Sequence, residues 1–304
     1  MPVTVLVPDE DGVHALRELA GVRPVRYSWR EPLPAEAAEA EVLVPGAHRP
    51  EERATVLGAL PNLKLIQLLS AGAENWIGTV PDGVLLSTCR GAHGGSTAEW
   101  VVAVLLSIYR ELPGFAAGQA ARRWDPHATG TLQDKRVLVV GAGDLGRQLE
   151  RRLVAFDAQV TMVGVTGRDG VHAVDELPAL LPGHDVAVLV VPLTSRTRGM
   201  AGAEFLSAMP DGAILVNAAR GPVVDTAALL AELRAGRLRA ALDVTDPEPL
   251  PADHPLWTAS NVVLTPHVAG SVTGSQRRSY AVVAAEIARY AGGELPHNLV
   301  RGEY

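Results

Sequence analysis

One stretch of the sequence, residues 137–146, constrains the fold more than any other. The β-branched run Val137–Val140 leads directly into Gly141-Ala-Gly143-Asp-Leu-Gly146. Leucines then recur at positions 145, 149 and 153, which is the spacing of one face of a helix. A strand, a glycine-rich turn and a helix in this order predict a βαβ unit, so we expect a parallel α/β sheet.

The three glycines of this turn predict a dinucleotide-binding loop. Gly141 permits the sharp bend, Gly143 lets a pyrophosphate approach the backbone, and Gly146 lets the helix pack on the strand. The N–H groups at the helix start, where Asp144 and Leu145 stand, would face the anion. The alternative is an ordinary tight turn, since glycines are common between strands and helices. The flanking elements favour the dinucleotide site.

The choice between the two nicotinamide dinucleotides depends on the next predicted strand. NAD sites usually carry an Asp or Glu about 20 residues further on, where it binds the ribose 2′-hydroxyl. This sequence has Gly164 near that place and lacks the acid. Thr166 and Arg168 could instead hold a 2′-phosphate. We therefore expect NADP(H) to be preferred and NAD(H) to be possible, the latter if Arg168 is only a solvated surface residue.

The same alternation of β-branched runs with Ala/Leu/Arg-rich stretches extends along the chain. Strands are predicted at Val3–Val7, Val42–Val44, Leu63–Leu69 and Val84–Ser87, and then at Val137–Val140, Gln159–Gly164, Val186–Val191, Ala213–Asn217, Ala240–Val244 and Val262–Thr265. Helices are predicted near Val13–Ala20, Pro50–Leu60, Thr97–Leu112 and Arg277–Ala291. The pattern predicts an α/β fold of two doubly wound parallel-sheet, Rossmann-like domains, with six strands in the second sheet.

The order of these elements predicts how the domains are connected. Pro113-Gly114 and the polar stretch 118–133 suggest a hinge after the first series of strands. The tail Gly292–Tyr304 is too short to be a domain, so we expect it to return to the N-terminal domain. The cofactor domain, residues 97–282, would then be inserted into a substrate domain made of residues 1–96 and 283–304.

Three further segments stand at the carboxyl ends of predicted strands, where open α/β sheets bind ligands. They are Asn217-Ala-Ala-Arg220-Gly221, Asp243-Val-Thr-Asp-Pro-Glu248-Pro and Thr265-Pro-His267-Val-Ala-Gly270. With the glycine-rich turn before them, the sequence resembles the D-isomer-specific 2-hydroxyacid dehydrogenases. The resemblance covers nearly the whole chain, including Ser70-Ala-Gly-Ala-Glu-Asn75 and Val191-Pro-Leu-Thr-Ser-Arg-Thr197. Four motifs in this order are more specific than any one of them.

The reduction of a 2-oxo acid explains why these residue types occur together. His267 is the natural proton donor, because an imidazole exchanges protons near neutral pH. Glu248 would pair with the imidazole and orient it, and Arg220 would bind the substrate carboxylate. The resemblance assigns the same roles to these positions. The alternatives are a solvated loop acid for Glu248 and a surface arginine for Arg220.

The resemblance also implies further contacts with the cofactor and the substrate. Asp243 is either a structural cap or a ligand for the nicotinamide end, and we favour the ligand. The backbone of Ala71, Gly72 and Ala73 would meet the substrate carboxylate alongside Arg220 and His267, unless this is an ordinary turn. Glu74 stands where Asp is usual, which bears on the substrate more than on the fold. The expected cofactor contacts beyond the glycine-rich turn are Val191, Pro192, Thr197, Ala218, Ala219, Arg220, Asp243, His267, Ala269 and Gly270.

Composition excludes several classes of protein. With 27 Lys+Arg against 34 Asp+Glu the net charge is −7, so we expect no nucleic-acid partner. The longest apolar run, Trp100–Tyr109, is shorter than the ~20 residues of a membrane span, and Asp9 and Glu10 stand where a signal peptide would be apolar. With Cys89 as the only cysteine and no metal-binding spacing, we expect a cytoplasmic protein without a metal.

The leading hypothesis is an NADP(H)-dependent reductase of a small 2-oxo acid such as glyoxylate, hydroxypyruvate or an aryl-pyruvate. One alternative uses the same site to oxidise another small anion, such as formate or phosphite. Another is a non-catalytic NAD(P)-binding regulator, because transcriptional corepressors share this fold.

A homodimer is expected through the helix Thr97–Leu112, which has more than one apolar face; the alternative is burial of that helix inside one chain.

Overall fold

The computed structural model describes residues 2–46 and 50–302. The chain divides into two compact units, Met1–His93 with Thr273–Tyr304, and Gly94–Val272. Each unit contains a parallel sheet, of five strands in the first and seven in the second. The predicted α/β class, with one parallel-sheet domain inserted into another, is confirmed.

The helices and strands alternate along most of the chain. The strands are β1 Val3–Val7, β2 Val22–Arg26, β3 Ala40–Leu43, β4 Leu65–Gln67, β5 Leu85–Ser87, β6 Arg136–Val140, β7 Gln159–Gly164, β8 His172–Ala173, β9 Val186–Leu189, β10 Ile214–Asn217, β11 Arg239–Leu242 and β12 Val262–Leu264. The α-helices are α1 Glu10–Leu16, α2 Pro50–Gly58, α3 Gly94–Tyr109, α4 Leu112–Ala120, α5 Asp144–Val154, α6 Leu177–Leu180, α7 Ala203–Ala208, α8 Thr226–Arg234 and α9 Ser275–Ala291.

The sheet of the first unit has the strand order β2-β1-β3-β4-β5. The side chains of β1 and β3 are almost completely buried, as in a parallel sheet covered on both faces. The sequence analysis missed β2, because this strand is interrupted by Pro24 and carries Arg23 and Arg26. A proline is tolerated there because β2 lies at the edge of the sheet.

The C-terminal segment returns to the first unit, as the sequence predicts. Thr88 donates its backbone N–H to Asn298 O (3.0 Å), and Val300 donates to Leu86 O (2.8 Å). The boundaries between the units lie at 93/94 and 272/273, whereas the sequence analysis placed them at 96/97 and 282/283. The later boundary would divide α9, whose Tyr280 and Val283 are both in the core of the first unit.

The second sheet has the order β12-β11-β10-β9-β6-β7-β8. Read from β8, this is the doubly wound order 3-2-1-4-5-6 with one more strand at the far edge. The six predicted strands are present, but the prediction of six was wrong by one. It missed β8, a two-residue strand that is too short to give a periodic pattern.

The apolar helix α3 packs inside the second unit. Val101 and Leu105 are fully buried in a cluster that also contains Leu149 and Leu153 of α5. Pro113, expected in a break between elements, lies instead in the first turn of α4, where a proline costs no hydrogen bond. In residues 2–46 and 50–302 no single helix is long and apolar enough to cross a membrane, although α3 and α4 together, bent by 61°, pass that test.

Candidate active site

The glycine-rich turn joins β6 to α5 in the second unit. Gly141 has a φ of +124°, and a Cβ there would lie 2.6 Å from Val190 O. A Cβ on Gly146 would lie 1.9 Å from Gly141 O, so both positions require glycine. Gly143 is exposed and has open space around the position of a Cβ. The backbone at Gly143 is therefore accessible, and it forms the N-terminal cap of an 11-residue helix.

Two predicted cofactor residues of α5 have other neighbours in the structure. A Cβ on Gly94, at the start of α3, would lie 2.1 Å from Asp144 Oδ2. The Asp144 side chain thus approaches the start of α3. Leu145 is half-buried and packs against the cluster that contains Val137 and Val139.

Arg168 lies beside the glycine-rich turn although it is 26 residues away in sequence. Its Nη2 donates to Ala142 O at 3.1 Å, and its Nη1 lies 3.4 Å from where a Cβ on Gly164 would be. Arg168 and Val171 form a reciprocal pair of backbone hydrogen bonds that closes the loop after β7. Thr166, in the same loop, is exposed. The structure thus brings Arg168, but no carboxylate at the end of β7, to the turn.

The loops after β9 and β10 hold several more predicted residues. Thr197 donates its hydroxyl to Pro192 O at 2.6 Å, which closes the loop that begins after Val191. Ala218 donates its backbone N–H to Leu189 O (3.2 Å), and Ala219 donates to Asn217 Oδ1 (3.0 Å).

Arg220 follows β10 in a loop that is fixed by the buried side chain of Asn217. Asn217 donates its Nδ2–H to Arg220 O at 3.0 Å, and Arg220 Nη1 donates to Ala219 O at 2.6 Å. A Cβ on Gly221 would lie 1.8 Å from Thr245 O, so the next loop passes directly against this one. The half-buried guanidinium of Arg220 therefore stands on a well-defined backbone.

The carboxylate of Asp243, only 4% exposed, organises the loop after β12. Its Oδ1 accepts from Thr265 Oγ1 (2.6 Å) and Val268 N (2.9 Å), and its Oδ2 accepts from Ala269 N (3.0 Å). This is the arrangement of the structural cap, the alternative that the sequence analysis did not favour. A carboxylate has about four acceptor sites, so one remains for a ligand.

His267 and Glu248 form a direct pair at the carboxyl end of the sheet. His267 Nδ1 lies 2.6 Å from Glu248 Oε1, and both side chains are a little under half exposed. His267 has a φ of +54°, a backbone conformation that costs about 1–3 kcal/mol in residues other than glycine. The backbone N–H of His267 donates to the backbone oxygen of Asp243 at 2.7 Å. Gly270 is half-buried just beyond, and its carbonyl accepts from Val272 N.

Comparison with known proteins identifies the family. The family described as "D-isomer specific 2-hydroxyacid dehydrogenase, NAD binding domain" matches residues 102–269. The chain is 34% identical to a glyoxylate reductase of Thermofilum pendens over 82% of this chain and 78% of that protein. It is 32% identical to a D-3-phosphoglycerate dehydrogenase of Methanocaldococcus jannaschii over 98% of this chain, which spans 59% of that longer protein.

Among solved structures, a D-isomer-specific 2-hydroxyacid dehydrogenase from Xanthobacter autotrophicus Py2, in complex with NADPH and MES, is similar over 99% of this chain and 98% of that one. The TM-score is 0.86 and the sequence identity is 31%. The chain belongs to the D-isomer-specific 2-hydroxyacid dehydrogenase family. It is an NAD(P)-dependent oxidoreductase, and its family acts on small 2-hydroxy and 2-oxo acids.

The residues of this dehydrogenase fit a dinucleotide at the glycine-rich turn. Gly143 leaves room above the backbone, whereas Gly141 and Gly146 are crowded by protein atoms. The first turn of α5 has no side-chain cap, so its N–H groups suit an anion. The described residues contain no cluster of His, Cys, Asp and Glu that could hold a metal ion.

The predicted substrate loop of the dehydrogenase lies in its first unit, directly after β4. Ala71 is exposed, Gly72 is half-buried and Ala73 is buried. Ser70 donates its hydroxyl to Gly72 O at 2.7 Å, and Ser70 O accepts from Cys89 N at 2.8 Å.

Burial raises the pKa of the Cys89 thiol to about 12, which makes this side chain unreactive near neutral pH.

Two positioning side chains of the second unit were not assigned from the sequence. Asn217 fixes the Arg220 loop, and Thr265 donates to Asp243. Each is a polar residue at the end of an apolar strand. A polar residue at such a position can be recognised in the sequence as a candidate positioning residue, because a polar group buried at a strand end needs a hydrogen-bond partner.

Proposed function

We propose that this dehydrogenase reduces small 2-oxo acids of the glyoxylate or hydroxypyruvate type with NADPH. The observation that carries the proposal is the pair between His267 Nδ1 and Glu248 Oε1, at the carboxyl end of the sheet that also bears the glycine-rich turn. An acid–base residue with an oriented ring is what the reduction of a carbonyl requires in addition to the cofactor.

The chemistry divides between the cofactor and the protein. The bound nicotinamide supplies a hydride for the carbonyl carbon. Glu248 accepts the Nδ1–H of the imidazole, so Nε2 of His267 carries the second proton and delivers it to the carbonyl oxygen. The proton from Nε2 completes the hydroxyl group of the product, whether the 2-oxo acid is an aldehyde such as glyoxylate or a ketone such as hydroxypyruvate. Glu248 also orients the imidazole ring through this 2.6 Å contact.

Arg220 is the proposed ligand of the substrate carboxylate. Its guanidinium presents several donors in a fixed plane, which suits the two oxygens of a carboxylate. The bond from its Nη1 to Ala219 O restricts the side chain before substrate binds. The backbone of Ala71, Gly72 and Ala73 is the proposed second carboxylate contact.

The preference for NADPH is supported by Arg168. Its position against Ala142 O places a cation at the glycine-rich turn, at the end of a strand that lacks the usual acid. The NADPH-bound relative from Xanthobacter agrees with this choice. The remaining predicted cofactor contacts, from Val191 to Gly270, belong to the same proposal, including Asp243 through its remaining acceptor site.

A homodimer is part of the proposal. The dimer was expected through the helix Thr97–Leu112, but Val101 and Leu105 are buried within one chain, as in the alternative to that prediction. We therefore propose that the contact lies beyond that part of the helix, where Leu112 is 53% and Trp124 95% exposed. Exposed apolar side chains this large suit contact with a second copy. The cytoplasmic location stays a prediction from composition.

A panel of 2-oxo acids tests the proposed function. Loss of NADPH absorbance is followed with glyoxylate, hydroxypyruvate and phenylpyruvate, and then with NADH in place of NADPH. We expect turnover with at least one acid and a higher kcat/KM with NADPH. Absence of turnover with every acid would reject the proposal, and oxidation of formate or phosphite in the reverse assay would assign the site to another anion.

A further inference from the structure

A buried arginine of the first unit is attached to the segment that follows the predicted substrate loop. Arg53 lies on α2 and is only 7% exposed. Its Nη1 donates to Asn75 O and to Thr79 Oγ1, the latter at 2.9 Å, and its guanidinium lies 4.1 Å from the centroid of the Trp76 ring. Burial lowers the pKa of this guanidinium from its ordinary value. Burying a charged side chain costs free energy unless the charge is hydrogen-bonded, so the buried position of Arg53 depends on these contacts.

The segment held by Arg53 is in turn tied to Ala73. Trp76 donates its backbone N–H to Ala73 O at 2.8 Å, and Ile77 donates to the same oxygen at 3.1 Å. Thr79 donates its hydroxyl to Trp76 O at 2.9 Å, so one side chain links the arginine to the turn. Residues 73–79 therefore form one turn whose first residue is also the last residue of the predicted substrate loop.

The other end of that loop is fixed by backbone contacts. Ser70 O accepts from Cys89 N, and the Ser70 hydroxyl donates to Gly72 O. The loop Ala71–Ala73 is thus held upstream by the contacts of Ser70 and downstream by a turn that Arg53 anchors.

We propose that Arg53 is a positioning residue for the carboxylate-binding loop, acting through Trp76 and Thr79 on the backbone of Ala73. The inference rests on the proposed function, because it takes Ala71–Ala73 as the contact of the substrate carboxylate. A shift of a binding group by about 1 Å can reduce activity up to about 100-fold, so a distant anchor can control affinity for the acid.

The test measures binding and turnover in the full chain saturated with NADP⁺ or NADPH. Oxalate serves as the carboxylate probe in calorimetric titrations of the NADP⁺ complex, and glyoxylate as the substrate with NADPH. Arg53→Lys keeps the charge but replaces the planar fork with a point charge. We expect the oxalate Kd and the glyoxylate KM to rise at least about tenfold, with kcat and the NADPH Kd within about twofold of the wild type.

Two further variants separate positioning from stability. Thr79→Val removes the hydroxyl at an exposed position with little change of shape. It should raise the oxalate Kd by a smaller factor than Arg53→Lys does. Arg237→Lys is the matched control in the second unit, because Arg237 is half-buried and donates to Glu232 Oε2 and Met209 O, both at 2.5 Å. It should lower Tm without changing the oxalate Kd.

The outcomes are distinct. A lower Tm or kcat in Arg53→Lys with an unchanged oxalate Kd would make Arg53 merely structural and overturn the inference. If Arg53→Lys does not fold, an unchanged Kd in Thr79→Val overturns it instead. A wild type that binds oxalate but reduces no 2-oxo acid defeats the proposed function, while the Kd comparison still decides the role of Arg53. A wild type without affinity for oxalate overturns the inference.

Discussion

The main-chain N–H of His267 donates to the main-chain oxygen of Asp243 at 2.7 Å, and the Asp243 carboxylate holds the two residues that follow His267. One buried acid thus maintains the left-handed backbone that carries the proposed proton donor. A non-glycine residue in this conformation persists only where its surroundings define it fully. The position of the His267 imidazole therefore depends on Asp243, which contacts the backbone of this loop and not the ring.

Asp243→Asn should lower kcat through this loop. The amide nitrogen takes the place of one carboxylate oxygen and cannot accept, so either Val268 N, which donates to Oδ1, or Ala269 N, which donates to Oδ2, loses its partner. We expect kcat to fall about 10- to 100-fold and the free energy of unfolding to fall by about 1–3 kcal/mol, the cost of leaving a buried group without its partner. Steady-state kinetics and thermal unfolding measure the two effects. Thr265→Val, which removes one donor to the same carboxylate, should show a smaller loss; equal kcat for Asp243→Asn and wild type would contradict the argument.

His267→Ala should remove most of kcat and leave cofactor binding nearly intact. The imidazole supplies a proton in the transition state, and general acid catalysis contributes about 10²–10⁴-fold. Fluorescence titration with NADPH measures the cofactor affinity, and NADPH consumption measures kcat. His267→Asn is the control for the backbone, because Asn tolerates a φ of +54° better than Ala does. Wild-type kcat in either variant would assign the proton to another group.

Arg168→Ala should weaken NADPH binding by ~1.5–3 kcal/mol, the range for a hydrogen bond to a charged group. NADH lacks the 2′-phosphate, so its affinity should be nearly unaffected. Calorimetric titration with both cofactors measures the difference. Equal losses for NADPH and NADH, or a wild type that prefers NADH, would show that Arg168 only supports the loop through Ala142 O.

The homodimer stays a prediction, and its proposed contact is now the exposed apolar side chains near α4, because Val101 and Leu105 of α3 are buried within one chain. We expect the mass of two chains by light scattering at micromolar concentration. Trp124→Asp should shift the protein towards monomers, because its ring is 95% exposed in one chain and would be buried against the second. Trp257→Asp is the control, because Trp257 is also exposed but lies elsewhere on the second unit; this variant should leave the mass unchanged. A wild-type monomer at this concentration would contradict the prediction.

Elements with a strong local pattern could be predicted from the sequence. Val137–Val140 is a continuous apolar run because a central parallel strand is buried on both faces, and Gly141 and Gly146 have no space for a side chain. The strands β2 and β8 were not predicted, because an edge position or a two-residue length leaves no periodic pattern. The structure divides the units at 272/273, before α9, and not at the predicted 282/283 within it. The amphipathic pattern of a helix does not reveal which domain its apolar face contacts.

The sequence by itself therefore determined the α/β class, the inserted arrangement of the domains, the glycine-rich turn between a strand and a helix and the order of the motifs that follow it. Only the tertiary structure decided that Asp243 faces the His267 loop, that Arg168 reaches the glycine-rich turn and that Arg53 anchors the segment after β4. The reason is physical. Propensity and periodicity act between neighbours in sequence, whereas these contacts join residues on separate elements or loops. Those of Asp243 and Arg168 form only when the sheet brings the carboxyl ends of parallel strands together, and that of Arg53 forms only when α2 packs beside the turn after β4.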